Sequence, residues 1–169
     1  MFITSHTLFS VLISQKMGSP FEAFTFSMVS HYILDLIPHG DEGVGHWIKK
    51  KLTFSRFIFT NTIDIAILSI ILAVFLLDKK LPSTPVFLAS VIGGVLPDVM
   101  CILNDFFADW QKNISRKLIK YLRFLPISVA FRYQQKLHAF IHQLIPVHLS
   151  IKKGLIVQAI VIFAVILLS

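Results

Sequence analysis

FIFTNTIDIAILSIILAVFLL, residues 57–77, decides how the chain must be read. In these 21 residues only Thr60, Asn61, Thr62, Asp64 and Ser69 are polar, and a helix of that length covers ~31 Å, about the hydrocarbon thickness of a bilayer. Lys49, Lys50, Lys51 and Arg56 precede the run, and Asp78, Lys79 and Lys80 follow it. Positive charge at both ends leaves its orientation open, because the positive-inside rule reads an asymmetry.

The rest of the chain has the same character. Of 169 residues 55% are hydrophobic and 15% charged, and the mean hydropathy is +0.75. Soluble domains carry more charge and less apolar surface, so disorder and an ordinary cytosolic enzyme are both excluded. A single Cys excludes a disulfide scaffold. The length accommodates one domain, residues 1–169. The net charge of +7 does not indicate nucleic acid, because the basic residues sit in short clusters between apolar runs, as membrane-flanking anchors do.

Further apolar runs cover Pro85 to Leu103, interrupted by Gly93, Gly94 and Pro97, and Phe21 to Ile37, opened by Ser19-Pro20 and closed by Pro38 and Gly40. Gly154 to Leu168 is apolar apart from Gln158. Met1 to Met17 lacks a basic leader and an obvious cleavage site, and is expected to be a retained helix. Pro97 is expected to kink or end its helix, with Asp98 capping the next turn. Between Trp110 and Lys136, seven basic residues alternate with Ile114, Leu118, Leu122 and Leu125 at helical spacing. That pattern predicts a basic amphipathic helix on the bilayer surface, broken at Pro126, or else a solvated helix between spans. No strand-like alternation persists. The expected fold is all-α: a multi-pass integral membrane helical bundle with an interfacial helix.

Against this background the acids and histidines stand out. A charge at mid-bilayer costs ~2.5–3.5 kcal/mol even on insertion scales, so Asp35, Asp64 and Asp98 must pair, face water or hold an ion. His31 and Asp35 share one helical face, and His39 follows the helix-ending Pro38, where it can fold back toward them. Two imidazoles and a carboxylate there can ligate Zn²⁺ or a similar divalent ion, or form a helix-end hydrogen-bond network. His138 and His142 repeat the i, i+4 geometry, and His148 lies beyond Pro146. Asp98 follows Pro97 as His39 follows Pro38, a short pseudo-repeat. Its glycines permit close helix approach, and a capping role for Asp98 stays open beside ligation. Asp64, with Thr60 and Asn61, marks an inward stripe; it is open to reading as a ligand, as a partner orienting a histidine, or as an interhelical hydrogen bond. Cys101 suggests no redox role.

At these residues the chain resembles two related groups. His6, the Leu96-Pro97-Asp98 turn and the late His138/His142 pair resemble the membrane-bound metal-dependent hydrolase family of bacterial inner membranes. The run His31-Tyr32-x-x-Asp35-x-x-Pro38-His39 is similar to the zinc-dependent phospholipase C and P1 nuclease superfamily, all-α proteins with three zinc ions. Met100 and Cys101 stand where the membrane family usually continues with acid and histidine. The resemblance implies that His31 and Asp35 are ligands, Asp35 bridging two ions, and that His39 serves the neighbouring ion. It further implies that His138 and His142 are the late ligand pair, His6 the N-terminal ligand and Asp98 the acid of the turn. The implied activity is hydrolysis of a phosphoester or phospholipid-like substrate at the surface of a bacterial inner membrane, with Asp98 or Asp64 as ligand or general base. Arg132 and Lys136 would hold anionic head groups. Two other readings stay open: a membrane scaffold with a structural metal, and an ion or proton carrier lined by Asp35, Asp64 and Asp98.

Overall fold

In the computed structural model, which describes residues 2–40, 54–112, 126–145, 147 and 149–169, every regular element among the described residues is a helix. They are α1 (Ile3–Ser14), α2 (Pro20–Asp35), α3 (Phe54–Leu77), α4 (Thr84–Lys112), α5 (Pro126–Leu144) and α6 (Ile151–Leu168). About half of the stretch read as a basic amphipathic helix, residues 113–125, lies outside the described residues; Pro126 is the first residue of α5. His148 and the Thr60 side chain also lie outside the described residues.

Local chemistry accounts for the helix ends. Ser19 accepts from the Glu22 amide at 3.2 Å while the Glu22 carboxylate accepts from the Ser19 amide, a capping box with Pro20 in the first turn. At the end of α3, Lys79 takes a left-handed φ of 55°, and the Lys80 amide reaches back to the Phe75 carbonyl at 2.8 Å, as in a Schellman motif. α3 therefore stops at Leu77, where the apolar run stops.

Of the two outcomes expected at Pro97, a kink or a helix end, the second fails. The helix neither ends nor restarts there: α4 runs unbroken for 29 residues with Pro97 inside it, so Asp98 lies mid-helix and caps nothing. Proline withholds the N–H that would bond to the Gly93 carbonyl, and that loss is bearable where a neighbouring helix supplies polar partners. Here the His31 ring donates to the very next carbonyl, Gly94 O. The likeness between the Pro38 and Pro97 segments ends at sequence level, since Pro38 lies past a helix end and Pro97 within a helix.

The packing is inverted relative to a soluble domain. Among the described residues 14 polar or charged side chains are buried against eight hydrophobic ones, while α3 and α6 expose Phe59, Ile70, Leu77, Ile160, Phe163 and Leu167. α1 is the centre, touching α2, α3, α4 and α6, and Thr4, Ser5, His6, Thr7, Ser10 and Ser14 on it are all buried. Leu8 and Val11 meet Phe75 and Val165 in a small apolar core on its other side. α4 reaches α1 and α2 because Gly93 and Gly94 offer no side chain: a Cβ on Gly93 would stand 2.3 Å from Phe24 O, and one on Gly94 2.1 Å from Ser10 Oγ. Among the described residues two helices are long and apolar enough to cross a membrane, Thr84–Asn104 with a mean hydropathy of 2.2 and Ile151–Leu168 with 2.3.

Candidate metal centre

α2 delivers its ligand types by ending where it does. Asp35 is its last residue, one turn after His31, and both are buried. After the turn at Leu36 and Ile37, the His39 ring lies back beside its own chain, with Nδ1 2.5 Å from Ile37 O. Gly40 then takes a φ of 74°, a left-handed conformation that glycine adopts without strain. This bend lies against α6 at Gly154, where a Cβ would come within 2.2 Å of His39 O.

Side chains from four helices and this bend converge on Asp35. Its Oδ1 lies 3.3 Å from His6 Nε2 of α1. Its Oδ2 lies 3.1 Å from His31 Nε2, 2.9 Å from His138 Nε2 and 3.6 Å from His142 Nε2. Asp98 of α4 closes the set, 3.3 Å from His138 Nε2, 3.6 Å from His31 Nε2 and 4.0 Å from His6 Nε2. The potential ligand atoms fall into two groups, each with its members within 4.8 Å of one another: His31, Asp35, Asp98 and His138, and Asp35, His39 and His142. Asp35 belongs to both. His6 stacks on His31 with ring centroids 3.9 Å apart.

The hydrogen bonds fix which ring nitrogens can bind. A carbonyl only accepts, so His31 Nδ1, 2.7 Å from Gly94 O, is the donor there, and Nε2 is the ring nitrogen turned toward Asp35 and Asp98. The same reasoning makes His39 Nδ1 the donor to Ile37 O, leaving Nε2 as its other ring nitrogen. The Nε2 atoms of His6, His31 and His138 are buried and face the Asp35 carboxylate, with Asp98 beside it. Three ring nitrogens and two carboxylates aimed at one point suit a cation. Burial pushes the His142 imidazole down to about 4, so it is neutral at pH 7. Burial alone would lower His138 too, but Asp35, Asp98 and the Cys101 thiol beside it more than reverse this and raise it to about 12. The carboxylate pair draws positive charge strongly.

Several residues that hold the cluster carry no local signal. Gln158, noted in sequence only as an interruption of an apolar helix, accepts from the Phe2 amide at 3.0 Å and donates to His39 O at 3.3 Å, joining α1, α6 and the bend. Tyr32 donates to Gln134 Oε1 at 2.5 Å, and Asn104 donates to Gln135, so α5 is tied to α2 and α4 one turn before His138. Asp64 stands outside both ligand groups: its carboxylate accepts from the Thr4 amide at 3.2 Å and its carbonyl from Thr4 Oγ1 at 2.8 Å, at the N-terminus of the helix that carries His6. Of the readings open to it, the interhelical hydrogen bond is the one seen. Arg132 and Lys136, at ~100° per residue, project from the side of α5 away from His138 and His142.

The cluster is closed on one side and open on the other. The His6, His31 and Asp35 side chains are fully buried, whereas Asp98 and His138 are each 18% exposed and His142 27%. Comparison of the chain with protein-family models, curated proteins and solved structures finds no match.

Proposed function

We propose that this chain is a multi-pass membrane hydrolase in which Asp35 bridges two divalent metal ions, zinc first among the candidates. The observation that carries the reading is the membership of Asp35 in both ligand groups, with the Nε2 atoms of His31 and His138 turned toward it from one and that of His142 from the other. His31, Asp98 and His138, with His6 behind them, would hold one ion; His39 and His142 would hold the other. N and O donors at this spacing suit zinc or manganese. The multi-pass reading is supported by the inverted packing, with polar side chains buried along α1 and α2 and large apolar ones exposed along α3 and α6.

Bound there, divalent ions would supply Lewis-acid activation of water and of a phosphoryl group. The chain's own residues set the stage. His6, His31 and Asp35 exclude water from the rear, and Asp98, partly exposed at the open side, is placed to take a proton from an entering water. An open side is what distinguishes catalytic from purely structural zinc sites, so it favours an enzyme over a scaffold. Convergence of Asp35 and Asp98 on one histidine favours a metal cluster over acids strung along a carrier path. The phosphoester class follows from the resemblance to the membrane hydrolases and phospholipases, as does a bacterial inner-membrane location. Anionic lipid head groups are the expected partners of Arg132 and Lys136.

Metal analysis of the purified protein tests the centre, and hydrolysis of generic phosphodiester and phosphomonoester probes with and without chelator tests the reaction. Retained zinc or manganese with chelator-sensitive turnover supports the proposal. Protein purified without chelator that carries no divalent metal and takes none up would end it.

A further inference from the structure

The helix directions sort the basic residues to one end of the bundle. Thr4 meets Asp64 while Gln15 meets Lys80, so α3 runs parallel to α1. Gln158 meets Phe2 while Val165 packs with Leu8 and Val11, so α6 does too. His31 meets Gly94, and Asp35 and Asp98 both reach His6, so the last turn of α2 and the second half of α4 arrive at the same end. The end of α2, the start of α3, the part of α4 after Asn104 and the start of α6 lie at that end. In sequence, four of the 16 Lys and Arg residues lie between the end of α2 and the first turn of α3, five between Asn104 and Pro126, and four from Arg132 to Lys153; the other three, Lys16, Lys79 and Lys80, adjoin the ends of α1 and α3 on the opposite side. The symmetric flanks of residues 57–77 concealed this bias, which the packing of the other helices reveals.

α5 divides its circumference at the same end. One side carries His138 and His142 to the cluster, a second exposes Tyr133, Leu137, Phe140 and Leu144, and a third carries Arg132 and Lys136. On this outer side Val129, Arg132, Tyr133 and Lys136 line a pocket of about 210 Å³. Two cations, an aromatic rim and an adjoining apolar stripe match a phospholipid: phosphate on the cations, acyl chains along the stripe.

Resting on the membrane placement proposed above, we infer that the cluster end faces the cytoplasm and that the outer side of α5 seats the head group of an anionic phospholipid of that leaflet. The bias of 13 basic residues against three sets the side by the positive-inside rule, and the cytoplasmic leaflet is where anionic lipid draws such segments. The seat is distinct from the cluster, since its lining shares no residue with it and Arg132 and Lys136 stand ~80–160° around α5 from His138 and His142, and it anchors the open face of the centre at head-group depth.

Two measurements test this, neither using activity. In a Cys101→Ser background, Ser83→Cys at the far end and Gln143→Cys on α5 are labelled with a membrane-impermeant maleimide in a bacterial host. Solubilised protein, labelled at both positions, serves as the reference. Ser83→Cys should label in intact spheroplasts, and Gln143→Cys only in inverted vesicles. The reverse pattern, or labelling of both from one side, overturns the orientation. By native mass spectrometry, the protein should retain phosphatidylglycerol in preference to phosphatidylcholine, and Arg132→Ala with Lys136→Ala should weaken that retention at least about tenfold. Equal retention of both lipids, or an unaffected double variant, overturns the seat. Asp35→Asn should keep the lipid while losing metal, so loss of the metal reading leaves this result standing.

Discussion

His31 Nδ1 stands 2.7 Å from the carbonyl oxygen of Gly94, and this one contact links the helix crossing to the chemistry of the cluster. The glycine pair lets α4 close on α2 and α1, and the resulting carbonyl fixes the tautomer of the histidine at the crossing. Gly93→Ala should cost more stability than Gly94→Ala. The first Cβ meets the Phe24 backbone, which cannot yield, and the second meets the Ser10 hydroxyl, which can rotate away from its bond to His6 O. Overpacking of this kind costs ~1–3 kcal/mol, so thermal unfolding in detergent should rank wild type above Gly94→Ala and Gly94→Ala above Gly93→Ala.

Asp35 and Asp98 differ in how many ligand groups they join. Asp35→Asn should abolish metal retention altogether, whereas Asp98→Asn should spare the ion of the Asp35, His39 and His142 group. Metal-to-protein ratios by inductively coupled plasma mass spectrometry decide it; equal losses in the two variants would contradict a bridging role for Asp35.

Gln158→Leu keeps the volume of a residue that lends the cluster no ligand. It removes the bonds to the Phe2 amide and His39 O, and lost buried hydrogen bonds of this kind cost ~1–3 kcal/mol. Metal affinity should fall by about 10- to 100-fold, as for other residues that orient ligands, with the ion at His39 lost first. Competition with a graded series of chelators would resolve the two ions.

The His142 imidazole, held down to about 4 by burial, stays neutral in the folded chain where the unfolded chain has taken a proton. The unfolded state thus binds more protons between about pH 6.5 and 4. Its contribution to stability is full above that window and is lost as the pH falls through it. Protonation of the ligands drives any bound metal out in the same direction. The unfolding midpoint should therefore drop on acidification from pH 6.5 to 4, and His142→Gln should show a shallower slope.

The parts of this arrangement that were legible in sequence are those governed by neighbours along the chain. Ser19-Pro20 and Pro38 bound α2, and the four-residue spacings of His31 with Asp35 and His138 with His142 place each pair on one side of its helix. Pro97 misled because the local rule is sound for an isolated helix. What overrode it is tertiary packing: Gly93 and Gly94 seat this stretch of α4 directly against α2 and α1, elements distant in sequence. Gln158 and Asp64 were visible only as polar residues in apolar company; their partners, Phe2, His39 and Thr4, lie 60 to 156 positions distant. The exposed apolar sides of α3 and α6 were the easiest to foresee and say least about the site.

α1 is only 12 residues long and is wrapped by four neighbours, with His6 near its start. A helix that short has little tendency to persist alone, so its shape is lent to it by its surroundings. The histidine at the rear of the cluster therefore rides on the element with the fewest means of its own. Dissociation of an ion from that side should be timed by the parting of whole helices rather than by the swing of a side chain, and a slow off-rate would be its signature.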